Sequence, residues 1–386
     1  MSKKVKLGII GIGNMGSSHV LCYESGDLPE IELTAVADIN PERLEWAQDQ
    51  VDGLATFNTA TELINSGTCE AVLIAVPHYL HPPLAIEALE AGLHVLVEKP
   101  AGVYTKQVRE MNEVAAKHPD KTFALMFNQR TNPTYIKVKE LIASGKYGEM
   151  RRVNWIITDW FRTQAYYDSG GWRATWAGEG GGVLLNQCPH NLDLWQWLCG
   201  MPSKIRAFCH TGKWHDIEVE DDVTIYAEYP NGATGVFVSS TGDCPGTNRL
   251  EITLDGAKIT CEGKKLTVYE LEQKTSEFCK TSQEGFGKVK GTVLDIELSK
   301  DNPQHAGVLN AFAANILRGD PLIARGEEGI NGLNISNAAF LSSWLDKTID
   351  IPVDEEIYLT ELNKKIAGSK EKEATASGVA NLSGTY

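Results

Sequence analysis

The first third of the chain alternates short apolar runs with helix-forming runs, and a glycine turn follows the first apolar run. No other feature narrows the possible folds as far. "KVKLGIIGIG" ends in glycines, "MGSSHVLCYESG" can form a helix, and "IELTAVADIN" is the next β-rich run. "PERLEWAQDQ" opens with Pro41, suited to a first helical turn. "CEAVLIAVP" and "HVLVEKP" are further apolar strands, separated by the helix-like "HPPLAIEALEAG" that Gly92 closes, and "KTFALMFNQR" has the pattern of one more. Near-continuously apolar strands with helices between them predict a parallel sheet covered on both faces. Residues 1–125 are therefore expected to form an α/β dinucleotide-binding Rossmann domain. A chain of 386 residues exceeds one small core, so a second domain is expected.

The turn "GIGNMG" gives Gly11, Gly13 and Gly16 in G-x-G-x-x-G order, with Asn14 and Met15 at the start of the following helix. Alone this is weak evidence in a chain with 36 glycines. A strand before it, a helix after it, and Asp38 closing the next strand make it a dinucleotide motif. Gly11 permits the tight turn, Gly13 lets the backbone approach a pyrophosphate, and Gly16 lets the helix pack close to the strand. The helix N-terminus offers free N–H groups to the anion. Asp38 is placed to accept from ribose hydroxyls and to repel a 2′-phosphate, which favours NAD. Arg43 lies close enough in sequence to keep NADP open.

After about residue 150 the period changes. "DDVTIYAEYPNGATGVFVSS" and "NRLEITLDGAKITCEGKKLTVYEL" alternate apolar and polar residues, and Asn-Gly and Asp-Gly mark hairpins within them. Residues 126–366 are expected to form an α+β domain for substrate binding and oligomerisation, built on a large, open, mostly antiparallel sheet. Residues 367–386 are polar and expected to form a loose tail. The net charge of −15 argues against nucleic acid or an anionic membrane as partner. No run approaches a membrane span, and the apolar start of the chain is better explained by the glycine turn than by a signal peptide. A cytoplasmic protein is expected. The eight cysteines have no C-x-x-C spacing and the nine histidines no H-x-x-x-H pair, so no metal site is expected and the cysteines are expected to be buried reduced thiols.

Two further stretches carry chemistry. "HVLVEKPAG" sets Glu98, Lys99 and Pro100 directly after an apolar strand, at the carboxyl end where ligands sit in such sheets. "LLNQCPHNLDLWQWL" has the composition of a buried helix, yet at about 100° per residue Asn186, His190, Asp193 and Trp197 fall on one face. A histidine there can serve as a base near neutral pH or simply as a packing residue. Pro189 lacks an N–H, so the helix starts only a few residues before it, and the angle is approximate at Asn186. Shortly before, "SGGWRATW" offers Trp172, Arg173 and Trp176. Arginine can fork onto hydroxyls, and a tryptophan face suits the C–H side of a pyranose. "FNQRTNP" places Gln129 and Arg130 at a strand end in the cleft.

The stretches "GIGNMGSSH", "AVPHYLHPPLAIEALEAGLHVLVEKP" and "GGGVLLNQCPHNLDLWQWLCG" together resemble the glucose–fructose oxidoreductase / inositol dehydrogenase (Gfo/Idh/MocA) family. The resemblance is close in the first domain, reaches about residue 202, and returns in "GDPLIARGEEGINGL". It implies an NAD-dependent oxidation of a secondary hydroxyl in a sugar, cyclitol or glycoside, or the reverse. Lys99 would hydrogen-bond the reacting hydroxyl and His190 would act as acid/base. Asn186, Trp172 and Arg173 would join them around the substrate. Gly11, Gly13, Asn14, Met15, Asp38, Pro77, His81, Glu98, Lys99 and Gln129 would line the cofactor. Many family members carry aspartate where this chain has Asn186, which can orient a hydroxyl but not share a proton. The resemblance also implies a homodimer or homotetramer through the open sheet. A glycosidase or epimerase using NAD transiently, and a non-catalytic NAD-binding sensor, stay open as alternatives.

Overall fold

A computed structural model of the chain describes residues 3–370 and 372. Its first unit alternates β1 (Val5–Ile10), α1 (Asn14–Glu24), β2 (Ile31–Ala37), α2 (Pro41–Gln50), β3 (Ala55–Phe57), α3 (Ala60–Ile64), β4 (Ala71–Ile74), α4 (His81–Glu90), β5 (His94–Val97), α5 (Thr105–Ala115) and β6 (Phe123–Leu125). The strands form one six-stranded sheet in the order β3-β2-β1-β4-β5-β6, every pair parallel. Its pleat sends alternate residues to opposite faces. Val5, Leu7 and Ile9 of β1 join one buried cluster, while Ile10 joins another. That two-sided burial explains the unbroken apolar runs. The run expected as a strand from Lys121 to Arg130 is extended for only three residues, then turns into a short 3-10 segment, Asn128–Thr131.

The second unit contains α6 (Pro133–Ala143), β7 (Met150–Ile157), α7 (Gln164–Asp168), α8 (Pro189–Cys199), β8 (Lys204–Thr211), β9 (Glu220–Glu228), β10 (Thr234–Ser240), β11 (Asn248–Leu254), β12 (Ala257–Glu262), β13 (Lys265–Leu271), α9 (Thr275–Thr281), β14 (Gly291–Asp295), α10 (Gln304–Arg318), α11 (Gly329–Leu345), β15 (Ile349–Asp350) and α12 (Glu355–Ala367). Nine strands form a sheet in the order β14-β13-β12-β11-β7-β10-β9-β8-β15. All pairs are antiparallel except β7 with β10. The Asn231-Gly232 and Asp255-Gly256 turns join β9 to β10 and β11 to β12, as the hairpin signals predict. The inner face packs under α8 and α11, with Trp195 stacked on Phe237 at 5.4 Å between centroids. The outer face carries Phe208, Tyr226, Ile156 and Tyr269, each at least 40% exposed.

One late helix crosses back. Val308, Leu309, Phe312 and Ala313 of α10 are buried against β1 and α1 residues of the first unit. The tail expected at 367–386 lies mostly outside the described residues. No helix among the described residues is long and apolar enough to cross a membrane. None of the eight cysteines is in a disulfide; two, Cys244 and Cys279, are exposed, contrary to the expectation of uniform burial.

Candidate active site

The glycine turn is built to leave one side open. Gly11 has φ +91°, and a Cβ there would lie 2.6 Å from the Ala75 carbonyl oxygen. A Cβ on Gly16 would lie 1.8 Å from the Gly11 oxygen, so glycine lets helix and strand meet. A Cβ on Gly13 would meet nothing within 4 Å. That free space lies at the N-terminus of α1, where Asn14 and Met15 begin a helix with no side-chain cap. Asp38 closes the other side: its Oδ2 accepts from Ile12 N at 2.6 Å and its Oδ1 from Asn40 N at 2.8 Å. Each oxygen keeps a lone pair for another donor. The fit to a dinucleotide rests on these features: open space at Gly13, uncapped helix donors, and a half-buried carboxylate at the strand end.

The end of β5 is held by charge. Glu98 is 3% exposed; its Oε1 lies 2.6 Å from His19 Nε2 on α1, and its Oε2 accepts from Lys99 N at 3.0 Å. Burial alone would raise its carboxyl, but the His19 hydrogen bond and the charges of His19, His305 and Lys99 bring it down to about 2. His19 thus ties the glycine helix to the Glu98–Lys99 turn. His81 is buried with Nδ1 2.7 Å from the Pro100 oxygen and Nε2 2.7 Å from the Val76 oxygen. It clamps the ends of β4 and β5 together. Pro77 precedes the short turn His78–Leu80 beside it. Gln129 donates to Gln304 Oε1 at 2.9 Å and accepts from Asn132.

Lys99 Nζ reaches across to the second unit and donates to the Asn186 carbonyl at 2.9 Å. Burial lowers the Lys99 pKa, while Glu98 and Glu179 act to raise it. His190, 2% exposed on the first turn of α8, packs T-shaped against Phe127, with ring centroids 6.3 Å apart. Burial, then the charge of Lys99, holds the imidazole pKa well below its ordinary range. The two groups therefore share one electrostatic neighbourhood, with His190 neutral at pH 7.

The segment before α8 departs from the simple helix expected. Val183–Gln187 forms a π-helical turn, and α8 starts afresh at Pro189. Proline has no N–H to continue a helix, so the break falls at Cys188. The polar stripe consequently divides. Asn186 meets Lys99 through its backbone carbonyl, and His190 feels the Lys99 charge. Asp193 faces elsewhere: it pairs with Arg130 through two hydrogen bonds, 2.8 and 2.7 Å, both side chains essentially buried. Arg173 sits 4.4 Å over the Tyr166 ring and 4.7 Å over the Trp172 ring, and donates to Tyr166 Oη at 2.7 Å. Trp172 also packs edge-on to His78. Trp176, offered with them by the sequence, is instead a core residue between Phe340 and Trp344.

Two carboxylates were missed by sequence reasoning. Glu179, 1% exposed, accepts from Ala174 N at 2.6 Å and from Asn186 Nδ2. Glu220, equally buried, accepts from Gly182 N and Leu184 N at 2.8 and 2.9 Å and so holds the π-helical turn. Burial, opposed by those N–H groups and reinforced by the charge of Glu179, pushes Glu220 up to about 8. The available signal was Glu179 itself, a lone charge set against the run "GGGVLL". Among the described residues no group of three or more His, Cys, Asp or Glu is placed to hold a metal.

Comparison with known proteins places this geometry among others. Residues 5–125 match the family model for the oxidoreductase family, NAD-binding Rossmann fold, and residues 135–260 match that of the GFO/IDH/MocA C-terminal domain. The chain is 30% identical to the rhizopine catabolism protein MocA of Rhizobium meliloti over 205 residues, 53% of this chain and 60% of that protein. It is 26% identical to an inositol 2-dehydrogenase of Corynebacterium glutamicum over 200 residues, 52% of this chain and 56% of that one. The chain thus spans little more than half the length of these curated relatives. A crystal structure of the WlbA dehydrogenase from Bordetella pertussis, in complex with NADH and UDP-GlcNAcA, superposes with a TM-score of 0.78. It is 25% identical and covers 92% of this chain and 99% of that one.

Proposed function

The chain belongs to the GFO/IDH/MocA family of oxidoreductases, and from that premise we propose that it oxidises a secondary hydroxyl of a sugar, cyclitol or glycoside to a ketone, or reduces the ketone, with NAD. The observation that carries this reading is Lys99 Nζ crossing from the first unit to the Asn186 carbonyl at 2.9 Å, four residues before His190, beside a glycine turn with open space at Gly13. NAD would be held by the helix donors at Asn14 and Met15 and by Asp38, and would supply the hydride acceptor. The Bordetella WlbA structure, which holds NADH with a nucleotide sugar, supports both cofactor and substrate class.

The chain's own residues handle the proton. The Lys99 ammonium donates to the substrate oxygen and stabilises charge as it develops there. The His190 imidazole, kept neutral by burial and by Lys99, accepts the hydroxyl proton. Glu98 anchors the Lys99 backbone N–H, and His81 fixes the two strand ends that frame the cleft. Arg173 and Trp172 line the substrate side. Oligomerisation is assigned to the exposed outer face of the large sheet, around Phe208, Tyr226 and Ile156, giving a homodimer or homotetramer. The unpaired cysteines fit a reducing compartment, and we place the protein in the cytoplasm.

The test is a screen of sugars, cyclitols and glycosides for NADH formation, repeated with Lys99→Ala and His190→Ala. Both variants are expected to lose turnover by about a hundredfold or more while largely keeping NADH binding. Near-normal turnover in both would refute the assignment. Substrate conversion without NADH accumulation would point instead to a transient redox cycle.

A further inference from the structure

Glu179 has no part in the reaction as described, yet its carboxylate is 1% exposed and stands among three groups of the site. Oε2 accepts from Ala174 N at 2.6 Å; Oε1 accepts from Asn186 Nδ2 and lies 3.9 Å from Arg173 Nη1. A carboxylate can only accept, so the nitrogen end of the Asn186 amide is the end that faces it. The amide is planar, and its oxygen therefore points the other way. The backbone carbonyl of the same residue accepts from Lys99 Nζ, which places Asn186 at the wall of the Lys99 cleft.

We propose that Glu179 is a positioning residue of this site: it holds the Asn186 amide oxygen toward the cleft as a hydrogen-bond acceptor. The inference rests on reading Lys99 and His190 as the reacting pair. Two consequences follow. The substrate group that meets Asn186 must be a donor, such as a second hydroxyl, so replacing that hydroxyl by a methyl ether abolishes recognition. The charge on Lys99 also depends on Glu179. Lys99 is faced by Glu98 and Glu179, which favour its charge, and by Arg173 and Arg162, which oppose it. His78 and His190 also lie in its field. Glu179 in turn is raised by burial and lowered by Arg173, its hydrogen bonds and Lys99.

Glu179→Gln tests both consequences. The Ala174 N–H demands the glutamine oxygen, which leaves its nitrogen toward residue 186. Asn186 must then flip and turn its nitrogen to the cleft. We expect kcat/KM to fall about tenfold to a hundredfold, the alkaline limb of the pH profile to move to lower pH, and the acid limb to stay. Lys99 is followed without turnover by NMR of protein labelled with ¹³C at lysine Cε, its signal assigned by its loss in Lys99→Arg; its titration is expected to move to lower pH in Glu179→Gln. Asn186→Asp alone sets two carboxylates against each other and is expected to lose activity by a similar factor. The double variant Glu179→Gln/Asn186→Asp exchanges donor and acceptor, returns an acceptor to the cleft and a negative charge beside Lys99, and should recover to within about threefold of the original enzyme. A packing role predicts no such recovery. An unmoved Lys99 titration in folded Glu179→Gln, or a double variant no better than the single ones, overturns this inference alone. If Glu179→Gln fails to fold, undiminished activity in Asn186→Asp overturns it. Retained turnover in Lys99→Ala and His190→Ala overturns the parent reading and this inference with it.

Discussion

Removing the carboxylate of Asp193 should cost more stability than almost any other single polar change in this protein. Arg130 and Asp193 have side chains 2% and 1% exposed and meet through two hydrogen bonds. Asp193 also accepts from Gln196 at 3.0 Å. In Asp193→Ala the guanidinium stays buried and keeps one carboxylate partner, Glu328, which is 34% exposed. Breaking a buried pair from one side costs about 3–5 kcal/mol, because the remaining charge is uncompensated. The surviving Glu328 contact puts this case near the lower end, about 3 kcal/mol. For a unit of roughly 150–250 residues each kcal/mol shifts Tm by about 2–4 °C, so the loss is roughly 6–12 °C. Urea denaturation and calorimetry of the purified variant measure it. The double variant Arg130→Met/Asp193→Leu removes both charges and should lie within about 1 kcal/mol of the original. A loss below about 1 kcal/mol in Asp193→Ala, or a double variant as damaged as the single one, would refute the reasoning. The pair matters to the site because it anchors α8, and with it His190, to the turn after β6.

Gly13→Ala should fold normally yet bind NADH about tenfold or more weakly, since its Cβ enters only the open cofactor space; Gly16→Ala should lose about 1–3 kcal/mol or more, because its Cβ would meet the Gly11 oxygen at 1.8 Å. NADH fluorescence titration and thermal denaturation separate the two. Asp38→Ala should narrow the preference for NAD over NADP by about tenfold, the loss of a charge-assisted hydrogen bond, as read by paired titrations. Acid should act on stability through groups of opposite sign. His78, His190 and His305 bind a proton less readily folded than unfolded, His305 going down to about 4. At these histidines the unfolded chain takes up protons first as pH drops below 6.5, so they withdraw stability from there toward 4, while Glu220, held at about 8, takes its proton first in the folded chain and adds stability as pH falls from about 8 to 4.5. Glu98, held at about 2, contributes stability above 4.5 that is lost between 4.5 and about 2. In a Glu220→Gln variant, which removes the opposing carboxyl, urea midpoints that stay flat between pH 7 and 4 would contradict this.

The first unit was legible because its signals are local. Gly11, Gly13 and Gly16 must be glycine for reasons of backbone space within a few residues, and the buried strands show as unbroken apolar runs. Asn231-Gly232 and Asp255-Gly256 marked their hairpins for the same reason. The Glu98-Lys99-Pro100 turn and His190 stood out as polar residues at places where burial was expected. By contrast, nothing in the apolar stripe of α10 says that it packs on the first sheet rather than the second, and the parallel pairing of β7 with β10 joins strands nearly eighty residues apart.

What the sequence determined by itself was the alternation, the turn chemistry and the kinds of side chain available to the site. Which charges meet was decided only by the tertiary structure. Asp193 and His190 share one helical face in the sequence, yet Arg130 claims the first, while the second follows by four residues the Asn186 carbonyl that Lys99 reaches. Glu179, unremarked beside its glycines, becomes the neighbour of Asn186 and Lys99. The reason is physical: a buried charge must find its partner across space, and sequence periodicity reports which face a residue occupies but not what stands opposite it.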